Sequence, residues 1–514
     1  MGYIPTVWAD NVTDLAAAGL NKMEQGIAAA GSSSDYISVR DFGAVGDGVT
    51  DDTAAIQAAI DSASKSGVVF FPSTGSSYIS STLTISKDKG ELKLAGSGMS
   101  QTLLKFKTAK CFSCQTYGSH FEDLKIIGPG IMTAGSVIFS DDRSLIGDLS
   151  ADFDISMKSC FILEAETVVN VCGRGVIIES CAFFDIRYHY IKVNFPALAT
   201  WVDGPENTQY YTSGMRGFIF RDNRSHYCPC VIISNTGVNA KNIQGVLIQG
   251  NQLEGSTGYV EGYMRNLCVK ANVHYECGNI REALFMFDGC DCVDIDMQVY
   301  GKENAYERTA EYCNRIVGVV SGSTSPCNNL SIKANVSNVF KDAFRFTGGG
   351  TNIEIDVVAR SISQNGPGTY GLVLLEAGAF NGLKIHGVVS SPHTTFTAIK
   401  RNPGIVAKNV DIDLVITGDY AMLDNLDGSM QDGANHSLIN RKPYIGLYGG
   451  NGNASQVIPV PFQSSIVQIS ANGYHCIKSV ISSALAPEIA INSNSFTAMG
   501  AANDSTKLYA FIAK

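Results

Sequence analysis

One short pattern keeps returning along this chain, and it leaves few folds open. VIIESCAFF begins at Val176, FIFRDNRSH at Phe218, VLIQGNQLE at Val246 and LCVKANVHY at Leu267. VDIDMQVYG, LSIKANVSN, IEIDVVARS, LKIHGVVSS and VDIDLVITG follow from Val293, Leu330, Ile353, Leu383 and Val410. The first and third positions are nearly always apolar, the second and fourth mostly polar. Period two is the mark of a strand with one buried face. Its return at intervals of roughly 20–40 residues, with Gly, Asn and Asp turns between, is what stacked coils with loops of unequal length require. Helical periodicity is almost absent over about residues 90–430. The expected body is a parallel β-helix.

Aligning the segments turns their columns into predictions about stacking. The sixth column reads Asn223, Asn251, Asn272 and Asn335, which suggests an asparagine ladder whose amides satisfy one another from coil to coil. The fourth reads Glu179, Arg221, Gln249, Lys270, Asp296, Lys333, Asp356, His386 and Asp413, a near-alternation of charge that suits an outward ladder holding register. The 14 Cys are too few in a chain of 514 residues for a disulfide scaffold, and CPC (Cys228, Cys230) and CDC (Cys290, Cys292) lack C-x-x-C spacing. They read as buried thiols, with no metal or cofactor expected. A net charge of −10 argues against nucleic acid or an anionic membrane as the main partner. No apolar run approaches a membrane span, so no insertion is expected. The opening MGYIPTVWADN lacks the basic and apolar regions of a secretory signal, which predicts folding in a cytosol.

The ends differ from the body. Residues 1–34 carry a helical pattern on Leu15, Leu20, Met23 and Ile27, closed by a GSSS hinge. Such a helix is marginal alone and is expected to pair with copies of itself or with a docking partner. Residues 35–110 read as the cap of the β-helix. There, YISVRDFGAVGDGVTDDTAAIQAAID gives a tight glycine turn, then a helix capped by Thr50 or Asp51 with Ile56, Ala59, Ile60 and Ala63 on its apolar face; the strands VVFFP and YISSTLTI follow. The glycine spacing of GAVGDG is wrong for a dinucleotide fingerprint. The body runs from 111 to 440. From 441 to 514 the strands YIGLY, VIPVPF, SIVQIS, EIAIN and KLYAFIA alternate with short turns, as in an antiparallel β-sandwich.

The string from Asp41 to Ile60, with VVFFP and Tyr78 after it, resembles the opening motif of the pectate-lyase superfamily, in the form found in bacteriophage tailspike and tail-fibre depolymerases. Residues 3–27 are similar to the N-terminal segment of tail proteins from phages of Gram-positive bacteria. The resemblance implies an all-β fold: a right-handed, single-stranded parallel β-helix with a short N-terminal helix and a C-terminal antiparallel sandwich that trimerises or binds carbohydrate. It also implies a homotrimer joined to the phage tail or baseplate through residues 1–34, assembled in the host cytoplasm and acting from the virion on a bacterial surface polysaccharide.

The chemistry of a β-helix lives in its loops. Three segments read as loops: 187–216 with Trp201, Tyr210 and Tyr211; 255–266 with Glu261, Tyr263 and Arg265; and 300–315, rich in Glu and Tyr. Exposed rings suit the apolar C–H faces of sugars. Glycoside hydrolysis needs two carboxyls flanking the scissile bond. Glu254, ninth in its segment, and Glu276, tenth in the next, emerge together if those coils stack. Asp288 and Asp291 are the reserve pair. Trp201, Tyr210, Tyr211, Arg265, His274 and Arg281 are the expected substrate-binding side chains. Elimination by a polysaccharide lyase, with His274, Tyr275, Lys270 or Arg281 near the abstracted proton, is the alternative reaction. A receptor-binding protein without turnover is the alternative function. The signatures of pectate lyases and polygalacturonases are missing, so no catalytic residue carries over from the resemblance.

Overall fold

The computed structural model describes residues 19–25, 36–142, 154–171, 175–193, 215–234, 243–255, 258–275, 283–301, 316–319, 325–339, 341–362, 371–390, 397–402 and 404–417, and further on the short strands named below. The chain is all-β and divides into two units, 1–196 and 197–514. No helix among the described residues is long and apolar enough to cross a membrane.

The first unit is anchored by the glycine turn, and its acids explain the motif. Asp52, 2% exposed, accepts hydrogen bonds from the backbone N–H groups of Val45 (2.6 Å) and Gly46 (3.1 Å). Asp47 accepts from Val49 N (2.8 Å) and Thr50 N (2.7 Å). These amides are turned onto the chain's own carboxylates, which leaves no phosphate cradle of the kind a nucleotide loop offers. Gly46 and Gly48 have φ of +67° and +83°, and a Cβ on either would lie 2.5 Å from the side chain of Thr74 or Ser76. The helix Thr53–Ser62 follows, with Ile56, Ala59 and Ile60 buried. Asp52 occupies the N-cap position, but its side chain is committed to the turn and makes no capping bond; the Asp51 carboxylate instead accepts from Thr53 N (3.1 Å).

Asp51 also binds the Lys107 ammonium at 2.6 Å, and that contact together with Thr53 lowers its carboxyl to about 2. A carboxyl depressed in the folded state contributes stability above its unfolded value near 3.8, lost as pH falls through about 2. Urea midpoints measured from pH 5 down to 2 should therefore fall less steeply for Lys107→Met than for the wild type.

Coils then stack in parallel. Leu94, Phe121, Met157 and Ile178 form one buried column. After each of the last three strands the chain bends through a left-handed residue, Asp123 (φ 56°), Ser159 (51°) or Ser180 (53°), and drops Leu124, Cys160 or Cys181 into the interior.

In the second unit the first column of the repeated segments is realised as a continuous parallel register: Phe218, Val246, Leu267, Val293, Leu330, Ile353, Leu383, Val410 and Ile439. From Phe218 to Val410 all are buried, each contributing roughly 1.5–3 kcal/mol relative to exposure. The charged column also aligns, with Arg221, Gln249 and Lys270 in one run and Asp296, Lys333, Asp356, His386 and Asp413 in another. Asn223, Asn251 and Asn272 form the asparagine ladder, each 1% exposed. Asn251 Nδ2 donates to Asn272 Oδ1 (2.8 Å), and Asn223 N donates to Asn251 Oδ1 (2.9 Å). Asn335 is not part of it. A register shift between Val269 and Asn272 places Asn272 opposite Met297 and Ala334, and leaves Asn335 exposed on the outer face. From that coil on, the corner disappears and the strand runs straight through.

A second corner precedes each segment. Asn266, Cys292, Asn329, Asn352 and Asn409 all have φ between 49° and 55°, and Gly217, Gly245 and Gly382 occupy the same place in their coils. Asn and Gly are the residues that adopt this conformation at least cost. The amides stack as well, Asn352 Nδ2 donating to Asn329 Oδ1 at 3.0 Å. Cys292 is the exception, and it is exposed, whereas Cys111, Cys114, Cys160, Cys181, Cys228, Cys230, Cys290 and Cys327 are buried. Beyond residue 441 the strands are antiparallel. Tyr444–Gly449, Leu508–Ala513, Ile466–Ala471 and Tyr474–Ser479 form one sheet in that order; Ser455–Pro459, Ser495–Met499 and Ile489–Ile491 form another.

Candidate functional site

After the asparagine corner, the short strands Arg224–His226 and Gln252–Glu254 stack on the ends of Gly258–Tyr275 and Phe285–Tyr300. Alternation sorts their side chains. Leu253, His274, Val299 and Val336 form an inward column, whereas Glu254, Tyr275, Tyr300, Ser337 and Arg360 form an outward one. His274, expected to bind substrate at the surface, is fully buried, its ring 5.5 Å from that of Tyr259. The strand turns it inward because its neighbour Tyr275 takes the outward place.

The outward column gathers the acidic, imidazole and aromatic side chains. His226 Nδ1 and Glu254 Oε2 are 2.5 Å apart, with both side chains partly exposed. Tyr227 packs against His226 at 4.0 Å and is 59% exposed. On the next two coils, Tyr275 and Tyr300 lie face to face, ring centroids 5.6 Å apart and planes 16° apart, exposed at 44% and 40%. Stacked and this exposed, the two rings form an aromatic platform in the sense of exposed apolar ring surface that a sugar's C–H face can contact. The Tyr300 hydroxyl donates to Gln298 Oε1 at 2.9 Å. Gln298 in turn lines a groove of about 460 Å³ shared with Asp296, Lys333, Asn335, Asp356 and His386. His386 lies between Asp356 (3.4 Å) and Asp411 (3.5 Å). Carboxylate, imidazole, aromatic platform and polar groove are therefore contiguous over successive coils.

The other sequence candidates fall elsewhere. The segment 255–266, expected as a loop, begins an 18-residue strand. Val260, Gly262 and Met264 alternate inward, and the glycines had masked that period. Arg265 and Asp291 face each other across coils, Nε to Oδ2 at 3.4 Å, on a column separate from Glu254. The Asp291 carboxylate also accepts from Asn329 Nδ2 at 2.9 Å; that bond, with Cys292 and Arg265, holds it below the usual carboxylate range. It is suited to staying ionised, not to donating a proton. Asp288 is half-buried at the bulge opposite Tyr263. Trp201, Tyr210, Tyr211, Glu276 and Arg281 lie outside the described residues. His226, Tyr227 and Tyr300 were not among the candidates.

Residues 36–171 match the family "Rhamnogalacturonase A/epimerase, pectate lyase-like". Within the curated proteins, the chain is 34% identical over 148 residues to mannuronan C5-epimerase AlgE2 of Azotobacter vinelandii, an alignment covering 25% of this chain and 14% of that protein. It is 34% identical over 145 residues to alginate lyase 7 of the same organism, covering 24% and 16%. The chain thus spans about one seventh of the length of these relatives. Among solved structures it is similar to "Geobacillus virus E2 - ORF18", at 14% identity and a TM-score of 0.31, over 94% of this chain and 79% of that one. The family match ends before the Glu254 column begins.

Proposed function

We propose that this chain binds and depolymerises a bacterial surface polysaccharide, in the role of a phage tailspike. The observation that carries the reading is the Tyr275–Tyr300 platform standing in register with the Glu254–His226 pair. The relatives' names, which speak of mannuronan and alginate, support a polysaccharide as the substrate class. Hydrolysis assigns Glu254 and Glu276 to the two carboxyl roles, with the groove beyond Gln298 holding the neighbouring sugars. In the same proposal residues 1–34 attach the protein to the tail, the C-terminal sheets pack as a sandwich, and three copies associate, so that cyclic closure leaves no open interface.

Elimination is the second reading. It is favoured by the imidazole on Glu254 and by the epimerase and lyase names of the relatives, since a proton taken from carbon needs a base such as His226 or Tyr275. Mass spectrometry of products from capsule or wall polysaccharide separates the two. Oligosaccharides that have gained water mean hydrolysis, and unsaturated ends mean elimination. Binding without products overturns the enzyme reading. Light scattering at micromolar concentration is expected to give three times the chain mass of 54.8 kDa, and a stable monomer would remove the trimer.

The platform makes its own prediction. If hydrolysis operates, Tyr275→Ala and Tyr300→Ala should each raise KM about tenfold, the equivalent of about 1.4 kcal/mol of lost ring contact, with kcat little changed. Initial-rate kinetics check it.

A further inference from the structure

We propose that the first unit carries an ester-hydrolysing site of its own, with Ser156 as nucleophile, His120 as its base and Glu91 orienting the base. Lys93, His120, Ser156 and Ile177 follow one another on an outward column of the parallel strands Leu92–Gly96, Ser119–Glu122, Ile155–Lys158 and Val176–Glu179. His120 Nδ1 is 2.7 Å from Ser156 Oγ, and His120 Nε2 is 2.8 Å from Glu91 Oε2. An ionised carboxylate only accepts, so the proton of a neutral imidazole belongs on Nε2. The Nδ1 lone pair then receives the Ser156 hydroxyl proton. That order is nucleophile, base and carboxylate, linked by hydrogen bonds as activated serines require.

The carboxylate is held in place at a cost. Glu91 has φ +63°, a strained conformation for a residue with a side chain. Gly118 opposite it has φ +74°, and a Cβ there would lie 2.6 Å from Glu91 Cδ. The glycine is what leaves room for the carboxylate. His120 and Glu91 are 32% and 44% exposed, so an ester on a large substrate can reach the column. Ile177 flanks Ser156 across the next coil, and Lys158 lies two residues on along the same face.

The substrate class is a small acyl ester of a sugar hydroxyl, such as an O-acetyl group. Ser156 Oγ attacks the carbonyl carbon as its proton passes to His120 Nδ1. The C–O bond breaks and the alcohol leaves with that proton. Water then attacks the acyl-serine, giving its proton to His120, and the acid leaves as the serine is restored. One water is consumed per ester, and no other reactant is needed.

The test uses the full chain with p-nitrophenyl acetate and a fluorophosphonate probe, so it does not depend on the polysaccharide reading. Peptide mapping should find the probe on Ser156. Ser156→Ala and His120→Gln should each lower labelling and esterase rate at least about 100-fold, and Glu91→Gln at least about tenfold, with unchanged melting. If one variant fails to fold, the other two decide. No labelling, labelling at another residue, or a wild-type rate from Ser156→Ala overturns the proposal.

Discussion

If the chain hydrolyses a polysaccharide as proposed, Glu254→Gln and Glu276→Gln should each lower turnover by at least about 100-fold while leaving the melting temperature unchanged. Gln keeps the shape of Glu and its hydrogen-bonding reach but neither ionises nor donates an acidic proton. At position 254 it still meets His226, which approaches the present carboxylate at 2.5 Å from the neighbouring coil. The side chain is partly exposed and no core contact depends on its charge. A loss of rate without loss of stability therefore reads out chemistry. If hydrolysis operates, both variants fall and His226→Asn falls less. If elimination operates, His226→Asn or Tyr275→Phe gives the larger loss. Near-wild-type rates from both Glu variants would remove the carboxylate pair from the mechanism.

The second large effect is on stability. Asn251→Ala should cost about 2–4 kcal/mol, read as a lower urea midpoint and faster amide exchange across residues 243–275. Asn251 is 1% exposed; its Nδ2 donates to Phe220 O (2.9 Å) and Asn272 Oδ1 (2.8 Å), and its Oδ1 accepts from Asn223 N (2.9 Å). Alanine removes two donated bonds and one accepted bond that tie three successive coils together, where water cannot replace them. Asn335→Ala is the control. That residue shares the same column of the sequence but lies exposed outside the coil, so its loss should stay within about 0.5 kcal/mol. Equal costs for the two would contradict the register. Because Asn251 directly precedes the strand Gln252–Glu254, its loss should also lower the rate through misplacement of Glu254.

Those two asparagines show how far the sequence can be read. Period two identified the coils, and the first and fourth columns align in the structure because inward apolar and outward charged places have different costs. The sixth column fails at Asn335 because alternation does not reveal where a strand bends. One residue is dropped between Val269 and Asn272, and every later side chain changes column. The same shift hid Tyr300. His226, Glu254 and Tyr275 are all ninth in their segments, whereas Tyr300 is eighth and joins them only once the missing residue is counted. His274 was misplaced for a simpler reason: a histidine next to a tyrosine on a strand must face the opposite way, and only the coil corner says which is inside. The left-handed corner is legible in the sequence as well. The residue before each segment from Phe218 onward is Gly, Gly, Asn, Cys, Asn, Asn, Gly and Asn.

That corner also bears on how such a chain can change over generations. A left-handed residue at the same place in each coil sets the phase of the strand anew, whatever length of chain came before it. Segments inserted ahead of the corner can lengthen, shorten or be exchanged without disturbing the alternation that follows. The coils behave like a keyed rack whose slots accept cassettes of different size. The inserted segments can then diversify while the stacked interior, and the spacing of the acid, imidazole and rings along it, stays the same.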